Sequence, residues 1–166
     1  MHLKMQVITP YSLGSDRIAG CIAAINNFPN CNIILVDLGT TTVFDIILKG
    51  NIYLGGVILP GLRLSLDALC LRVAQLSSVK LEVPKLVIGR DTDTNIQSGL
   101  YYGHIGAIKE IKNQIFNELN TTKSNFITVG TGGLVKFFNH TKLFDIVIPN
   151  LVLQGIKAAF EKYADL

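Results

Sequence analysis

Residues 33–61 read IILVDLGTTTVFDIILKGNIYLGGVILPG, and this stretch decides the architecture of the 166-residue chain. Three apolar runs rich in Ile, Leu and Val lie one after another. The first, 33–37, ends on Asp37; the second covers 43–48; the third, 52–59, stops at Pro60-Gly61. Connections this short, built from Gly, Asn and Thr, join adjacent antiparallel strands, so the stretch predicts a three-strand meander. The second turn, Lys49-Gly50-Asn51, is ordinary. The first, Leu38-Gly39-Thr40-Thr41-Thr42, follows an acidic residue at a strand end. A turn of that composition can hold phosphate and a cation. Gly39 lets backbone approach an anion, successive N–H groups converge, and the Thr hydroxyls add donors. A hairpin whose threonines only cap the turn is the plainer alternative for so short a motif.

Length and composition fit one domain, or one domain with an appendage, with a substantial core. Apolar residues make up 49% and charged residues 16% of the chain, and mean hydropathy is +0.41. Such values suit an α/β fold with strands buried on both faces, and surface that packs against something else. Lys, Asp, Asn or Gly interrupts every apolar run before it reaches a membrane span, and the start MHLKMQVITP lacks a signal-peptide pattern. The net charge of +3 comes from scattered Lys and Arg, which speaks against nucleic acid. Cys21, Cys31 and Cys70 lack metal-site spacing and read as reduced thiols of a cytoplasmic protein.

Outside the meander, residues 3–9 are expected to be extended, and 18–28 helical, with Ser15 or Asp16 as N-cap and Ile18, Ile22 and Ile25 on one face. Residues 62–76 predict a second helix, with 85–88 a short strand or connector. The longest helical pattern is 91–119, capped by Asp91 or Thr92. Its stripe is Ile96, Leu100, Ile108, Ile111, Ile115 and Leu119, with His104 on the same line. His104 reads as a core or interface histidine bonded to a carbonyl. Gly99, Gly103 and Gly106 in this helix each cost roughly 1 kcal/mol relative to Ala, and predict close approach by another backbone. A strand at 126–129, a short helix at 134–138, a strand at 144–148 and a helix at 151–163 complete the chain. This order, three strands and then alternating helices and strands, resembles the ribonuclease-H-like unit of the actin and sugar-kinase superfamily.

Three polar clusters could do chemistry. Gly14-Ser15-Asp16-Arg17 stands at a helix start, where a cap with an ion pair is the structural alternative to a reaction centre. Asp37-Leu38-Gly39-Thr40-Thr41-Thr42 is the second. The third, Gly130-Thr131-Gly132-Gly133, offers bare backbone on which a ring or ribose could lie, although an ordinary tight turn explains it equally well. No Walker loop or dinucleotide fingerprint is present. Together the clusters suggest phosphoryl transfer by positioning and electrostatics.

The segments LGSDR (13–17), VDLGTTTVFD (36–45), YLGGVILPGLRLSLDAL (53–69), QSGLYYGHIG (97–106) and VGTGGL (129–134) resemble, in order and separation, the type III pantothenate kinases. The resemblance implies ATP-dependent phosphorylation of pantothenate, the first step of coenzyme A synthesis. It implies Asp16 as general base, with Gly14, Ser15, Asp16, Arg17 and Thr92 around pantothenate. Gly39, Thr40, Gly132 and Gly133 would lie at ATP, with Asp37 holding a monovalent cation (K+ or NH4+) beside Mg2+. A homodimer is implied too, its pocket at the dimer interface. Residues 1–30 would be a hinge segment and the helix carrying GSDR, and 31–166 the C-terminal kinase domain.

Two departures stand against the family pattern. Nothing matches the DxGNT turn of its N-terminal domain, and Val7 occupies a position where the family often has Tyr, although Tyr11 is near. The chain is therefore expected to be a C-terminal part, inactive alone and oligomeric, working with a separate N-terminal half chain or belonging to a longer one. The alternatives are a non-catalytic regulatory relative of the Bvg accessory factor kind, or a truncated inactive kinase.

Overall fold

A computed structural model describes residues 3–9, 12–72 and 79–164, the last three by backbone alone. The meander forms as expected: β2 (Asn32–Leu38), β3 (Thr41–Leu48) and β4 (Ile52–Pro60). β2 and β3 pair antiparallel from Ile33 opposite Ile47 to Leu38 opposite Thr42. The β3–β4 turn puts Gly50 at φ 79° and Asn51 at φ 63°, the left-handed pair that closes a tight hairpin. β1 (Lys4–Met5) adds in parallel outside β4. On the other side, β5 (Phe126–Thr131) lies parallel to β2, and β6 (Ile146–Val147) parallel to β5. The six-stranded sheet runs β1-β4-β3-β2-β5-β6.

Four helices accompany this mixed sheet: α1 (Ser15–Asn27), α2 (Leu62–Arg72), α3 (Thr92–Glu118) and α4 (Leu151–Ala164). Strand side chains alternate between the two faces. Ile34, Val36, Leu38, Phe44 and Ile46 share one core with Ile108 and Ile115 of α3 and Leu62 of α2. Ile33, Leu35, Ile47, Tyr53 and Val129 share the other with α1 residues Cys21, Ala24 and Ile25 and with Leu151 of α4. β2 and β3 are thus covered on both sides.

Several expectations need correction. α1 is capped by the backbone of Gly14, without a side-chain bond, rather than by Ser15 or Asp16. Its buried face is Ala19, Gly20, Cys21, Ala23, Ala24 and Ile25: Ile25 is buried as expected, but Ile18 and Ile22 are only half-buried, because α4 crosses close to α1 at Ala19. α2 ends at Arg72, and residues 73–76 of the expected helix lie outside the described ones. Residues 85–88 take the second of the two expected forms, an exposed connector without strand pairing. The short helix is a single 3-10 turn, Val135–Phe138. The strand expected at 144–148 pairs only at Ile146 and Val147.

α3 begins with a capping box. The Asp91 carboxylate accepts from the Thr94 N–H at 2.8 Å, and Thr94 Oγ1 returns a bond to Asp91. Asp91 is therefore the cap, and Thr92 is the first helical residue. The buried stripe of α3 is Ser98, Tyr101, His104, Ile108, Lys112, Ile115 and Phe116, rotated from the expected line, so Ile96, Leu100, Ile111 and Leu119 sit at its half-buried margin. His104 bonds through Nε2 to Thr42 Oγ1 at 2.8 Å, not to a carbonyl.

A Cβ added at Gly99, Gly103 or Gly106 would meet nothing within 4 Å, so no other backbone among the described residues approaches them. The close helix crossing falls elsewhere. A Cβ at Gly155 of α4 would stand 1.9 Å from the carbonyl oxygen of Ala19 on α1. Gly155→Ala must push the two helices apart, and overpacking of this kind typically costs about 1–3 kcal/mol. Urea unfolding is expected to show that loss. An unchanged midpoint would mean that the crossing is looser than its glycine implies.

Candidate functional site

The antiparallel register decides which polar side chains meet. Leu35 pairs with Asp45, and Asp37 with Val43. With a period of two, all four point to the face covered by α1. The first turn of α1 stands above them. The result is a cleft of about 270 Å³ lined by Asp16, Arg17, Asp37, Gly39, Thr40 and Asp45, with Ile58 and Val152 among its apolar walls.

Asp16 is exposed, and its Oδ1 accepts the backbone N–H of Arg17 at 2.9 Å. The helix start therefore holds this carboxylate while leaving its other oxygen open. Asp37 is the penultimate residue of β2 and half-buried. Burial raises its pKa, and the charges of Asp16 and Asp45 raise it further. The Gly132 backbone presses on it: a Cβ there would lie 2.3 Å from Asp37 Oδ1, and Gly132 holds φ at +94°. The glycine thus serves close approach as well as a conformation that L side chains rarely adopt. The loop is tied to the first turn by Leu134 N–H donating to Leu38 O at 3.0 Å.

Asp45 is 2% exposed in mid-strand. Its Oδ1 accepts Arg17 Nε at 3.1 Å, Arg17 Nη2 at 2.7 Å and the Tyr53 hydroxyl at 2.8 Å. Arg17 Nη2 also donates to Tyr53 Oη at 2.8 Å. Burial pushes the Asp45 pKa up, while Arg17 and Tyr53 oppose that shift. Burial alone would lower the Arg17 pKa, but the hydrogen bond and charge of Asp45 hold it above its ordinary value. The Tyr53 hydroxyl is pushed up by burial and then by Asp45. The carboxylate and guanidinium form an ion pair, with the phenol neutral.

Sequence reasoning passed over Asp45, Tyr53 and Gly56. The signals were present: a carboxylate inside an apolar strand is unfavourable unless paired, and glycines inside a strand mark a bulge or a close approach. Of the other expected site residues, Thr40 and Gly39 line the cleft and Gly132 abuts Asp37. Gly14 and Ser15 are exposed next to Asp16, and Gly133 is exposed with open space around it. Thr92 is exposed at the start of α3 and is not among the cleft residues.

Three carboxylates against one guanidinium leave the cleft acidic, which suits a ligand carrying cations. Among the described residues no group of three or more His, Cys, Asp or Glu forms a metal cage. A cation here would take Asp37 together with hydroxyl, backbone or ligand oxygens, as hard cations accept. Also among the described residues, no helix is long and apolar enough to cross a membrane.

The family model for type III pantothenate kinase matches residues 1–114. The type III pantothenate kinase 1 of Francisella tularensis (strain SCHU S4) is 46% identical over 158 residues, covering 95% of this chain and 60% of that protein. The type III pantothenate kinase of Legionella pneumophila (strain Corby) is 47% identical, covering 95% and 61%. A crystal structure of a "conserved putative Baf family transcriptional activator from Campylobacter jejuni" shares the fold, at TM-score 0.63 and 23% identity, over 99% of this chain and 70% of that one. An acidic cleft on a mixed α/β sheet, with these matches, defines the class, and the chain belongs to the type III pantothenate kinase family. It spans about 60% of the length of these curated relatives.

Asp37 carries an unfavourable buried charge. Its folded pKa lies above the unfolded 3.8, so its contribution to stability is present below pH 3.8 and lost as pH rises through the folded value. In sodium buffer at pH 8, Asp37→Asn is therefore expected to stabilise the fold. The gain is at most about 1 kcal/mol, since partial exposure screens the charge, and it should shrink as pH falls toward 3.8. A thermal midpoint that drops at pH 8 would show that the carboxylate already has a partner.

Proposed function

We propose that this chain is the C-terminal part of a type III pantothenate kinase, which transfers the γ-phosphoryl group of ATP to the pantothenate hydroxyl and yields 4'-phosphopantothenate. The observation that carries the reading is the cleft itself. In a chain of this family it gathers Asp16, Arg17, Asp37, Gly39 and Thr40 within one small volume. Asp16 takes the hydroxyl proton as the oxygen attacks phosphorus and ADP leaves. Gly14, Ser15 and Arg17 surround pantothenate. Thr92, away from the cleft, reaches pantothenate only if another subunit or a rearrangement brings it there. Gly39 and Thr40 donate to phosphate, and Gly132 and Gly133 offer bare backbone to the nucleotide. Asp37 would hold a monovalent cation, which together with Mg2+ would supply positive charge to the phosphates, in keeping with the acidic cleft.

The finer fold assignment, ribonuclease-H-like, draws support from the strand order β4-β3-β2-β5-β6, a meander continued by two parallel strands. We treat residues 1–30 as the hinge and site helix and 31–166 as the kinase domain. α1 nonetheless packs on α4 and shares its core, so the boundary marks a change of role. A homodimer is supported by the open glycines of α3 and by exposed Tyr102 beside Gly103. Only one phosphate turn lies in these 166 residues, so we assign turnover to an assembly that also brings the opposing turn, in a longer polypeptide or a separate chain. A non-catalytic Baf-like role draws only on the fold shared with the Campylobacter protein, and the gathered Asp16, Asp37 and Thr40 favour the kinase.

Asp16→Asn keeps an oxygen for the Arg17 N–H but removes the base. In the natural full-length polypeptide, turnover of pantothenate is expected to fall by about 10²–10⁴. Unchanged turnover would leave Asp16 a structural residue of the helix start.

Potassium or ammonium should raise turnover or ATP binding far more than sodium, and Asp37→Asn should remove that response. A wild-type protein indifferent to the ion would sink the assignment of Asp37 to a cation.

A further inference from the structure

The Arg17–Asp45–Tyr53 triangle is more elaborate than an ion pair needs to be. Tyr53 and Gly56 are three residues apart on β4, so in a regular strand they would face opposite sides. The register with β3 shifts between Ile46, opposite Gly55, and Ile47, opposite Tyr53. Leu54 is the extra residue of this bulge, and Gly55 takes φ +138° there. The bulge turns Tyr53 to the face of Asp45, as bulges commonly re-aim a side chain. Gly56, directly opposite Asp45, clears the remaining space. A Cβ there would lie 2.6 Å from Arg17 Nη2 and 2.1 Å from Phe44 O. Three departures from a regular apolar hairpin thus converge on one guanidinium: a buried carboxylate, a bulge and a glycine.

We propose that Asp45 and Tyr53 are positioning residues that grip Arg17 through Nε and Nη2 and leave Nη1 as its one free donor edge toward the substrate. Among the described residues no group bonds Nη1, and the arginine is about one-fifth exposed. A free arginine side chain has several rotatable bonds and binds an acceptor only after losing that freedom, a loss of about 0.5–1.5 kcal/mol per ordered side chain. Here the ordering is complete before substrate arrives. Because Arg17 is adjacent to Asp16, the same grip sets the donor edge in register with the carboxylate assigned as base. The inference rests on the reading of Arg17 as a pantothenate contact.

Tyr53→Phe removes one hydroxyl and keeps the ring. In the natural full-length polypeptide, the pantothenate KM should rise about five- to tenfold, the effect of one hydrogen bond, with the ATP KM and kcat little changed. In an Arg17→Ala background the same change should have no further effect, because Tyr53 acts only through Arg17. Equal losses with and without Arg17, or an unmoved pantothenate KM, overturn the proposal. A second readout needs no activity. NMR of 15N-arginine-labelled protein should show a slowly exchanging Arg17 Nε–H, assigned by its loss in Arg17→Lys, and Asp45→Asn or Tyr53→Phe should speed its exchange. Fast exchange in the wild type overturns the grip even if a variant fails to fold. A wild-type protein that shows the slow Nε–H but neither binds nor phosphorylates pantothenate overturns the substrate assignment of Nη1 together with the kinase reading, and leaves only the grip.

Discussion

A carboxylate in the middle of a strand that is covered on both sides is the constraint from which the site follows. β3 is buried from Thr42 to Ile47, with one helix layer on each face, and Asp45 has no solvent to satisfy it. An isolated charge in that position would be several kcal/mol unfavourable, so something must reach it. Arg17 does, from the first turn of α1. That single requirement ties the start of the helix to the sheet and so fixes where Asp16 stands. Such pairs are weak evidence for stability, since apolar replacements are often as good. Their contribution here is to give α1 one register rather than several. The rest of its buried face is Ala, Gly and Cys with one larger residue, Ile25, so most of it would tolerate sliding.

Much of this was legible from residues alone. The meander declares itself because β-branched runs alternate with Gly, Asn and Thr, and both turns form where those residues stand. The DLGTTT turn and the GSDR helix start were recognisable as polar clusters, and chain topology brings them together. What was hidden depends on quantities that no local pattern carries. The bulge at Leu54 is a matter of register between two strands, and it alone decides that Tyr53 reaches Asp45. The buried face of α1 was legible only in part: Ile25 is buried as its spacing implies, but Ile18 and Ile22 stay half-buried because α4 crosses close to Ala19 at Gly155. The α3 stripe was displaced for a related reason. Ser98, His104 and Lys112 are polar, but each finds a hydrogen-bond partner, in Val87 O, Thr42 Oγ1 and Leu143 O. Hydrophobicity alone cannot foresee such pairings.

The two faces of the hairpin also divide the labour. On the α3 side, Thr42 and His104 form a buried hydrogen bond beside the ring of Phe138, and burial lowers the His104 pKa, which keeps the imidazole neutral. That face is mostly apolar, with the Thr128 hydroxyl its one buried polar side-chain atom left without a partner among the described residues. On the α1 side, Asp37 is left half-buried among like charges and, among the described residues, no cationic side chain reaches it, since the guanidinium in the cleft is committed to Asp45. The strain is local and electrostatic, and a bound cation would relieve it. This is the usual relation between stability and function: a fold tolerates one unfavourable group where chemistry needs it and satisfies the others nearby.

The glycines separate the demands of this chain's own fold from those of something outside it. Gly56, Gly132 and Gly155 are each pressed by atoms of the same chain, namely Phe44 O, Asp37 Oδ1 and Ala19 O, so the fold itself accounts for them. Gly99, Gly103 and Gly106 are not. They lie in a 27-residue helix with open space where a Cβ would be, and each lowers helix stability by roughly 1 kcal/mol relative to Ala. Nothing among the described residues compensates. The spacing of four and then three places them along one exposed side of α3, continuous with the exposed ring of Tyr102. A closely packed helix from another subunit would turn that loss into contact, which is why the proposed dimer rests on these residues rather than on the apolar fraction of the chain as a whole.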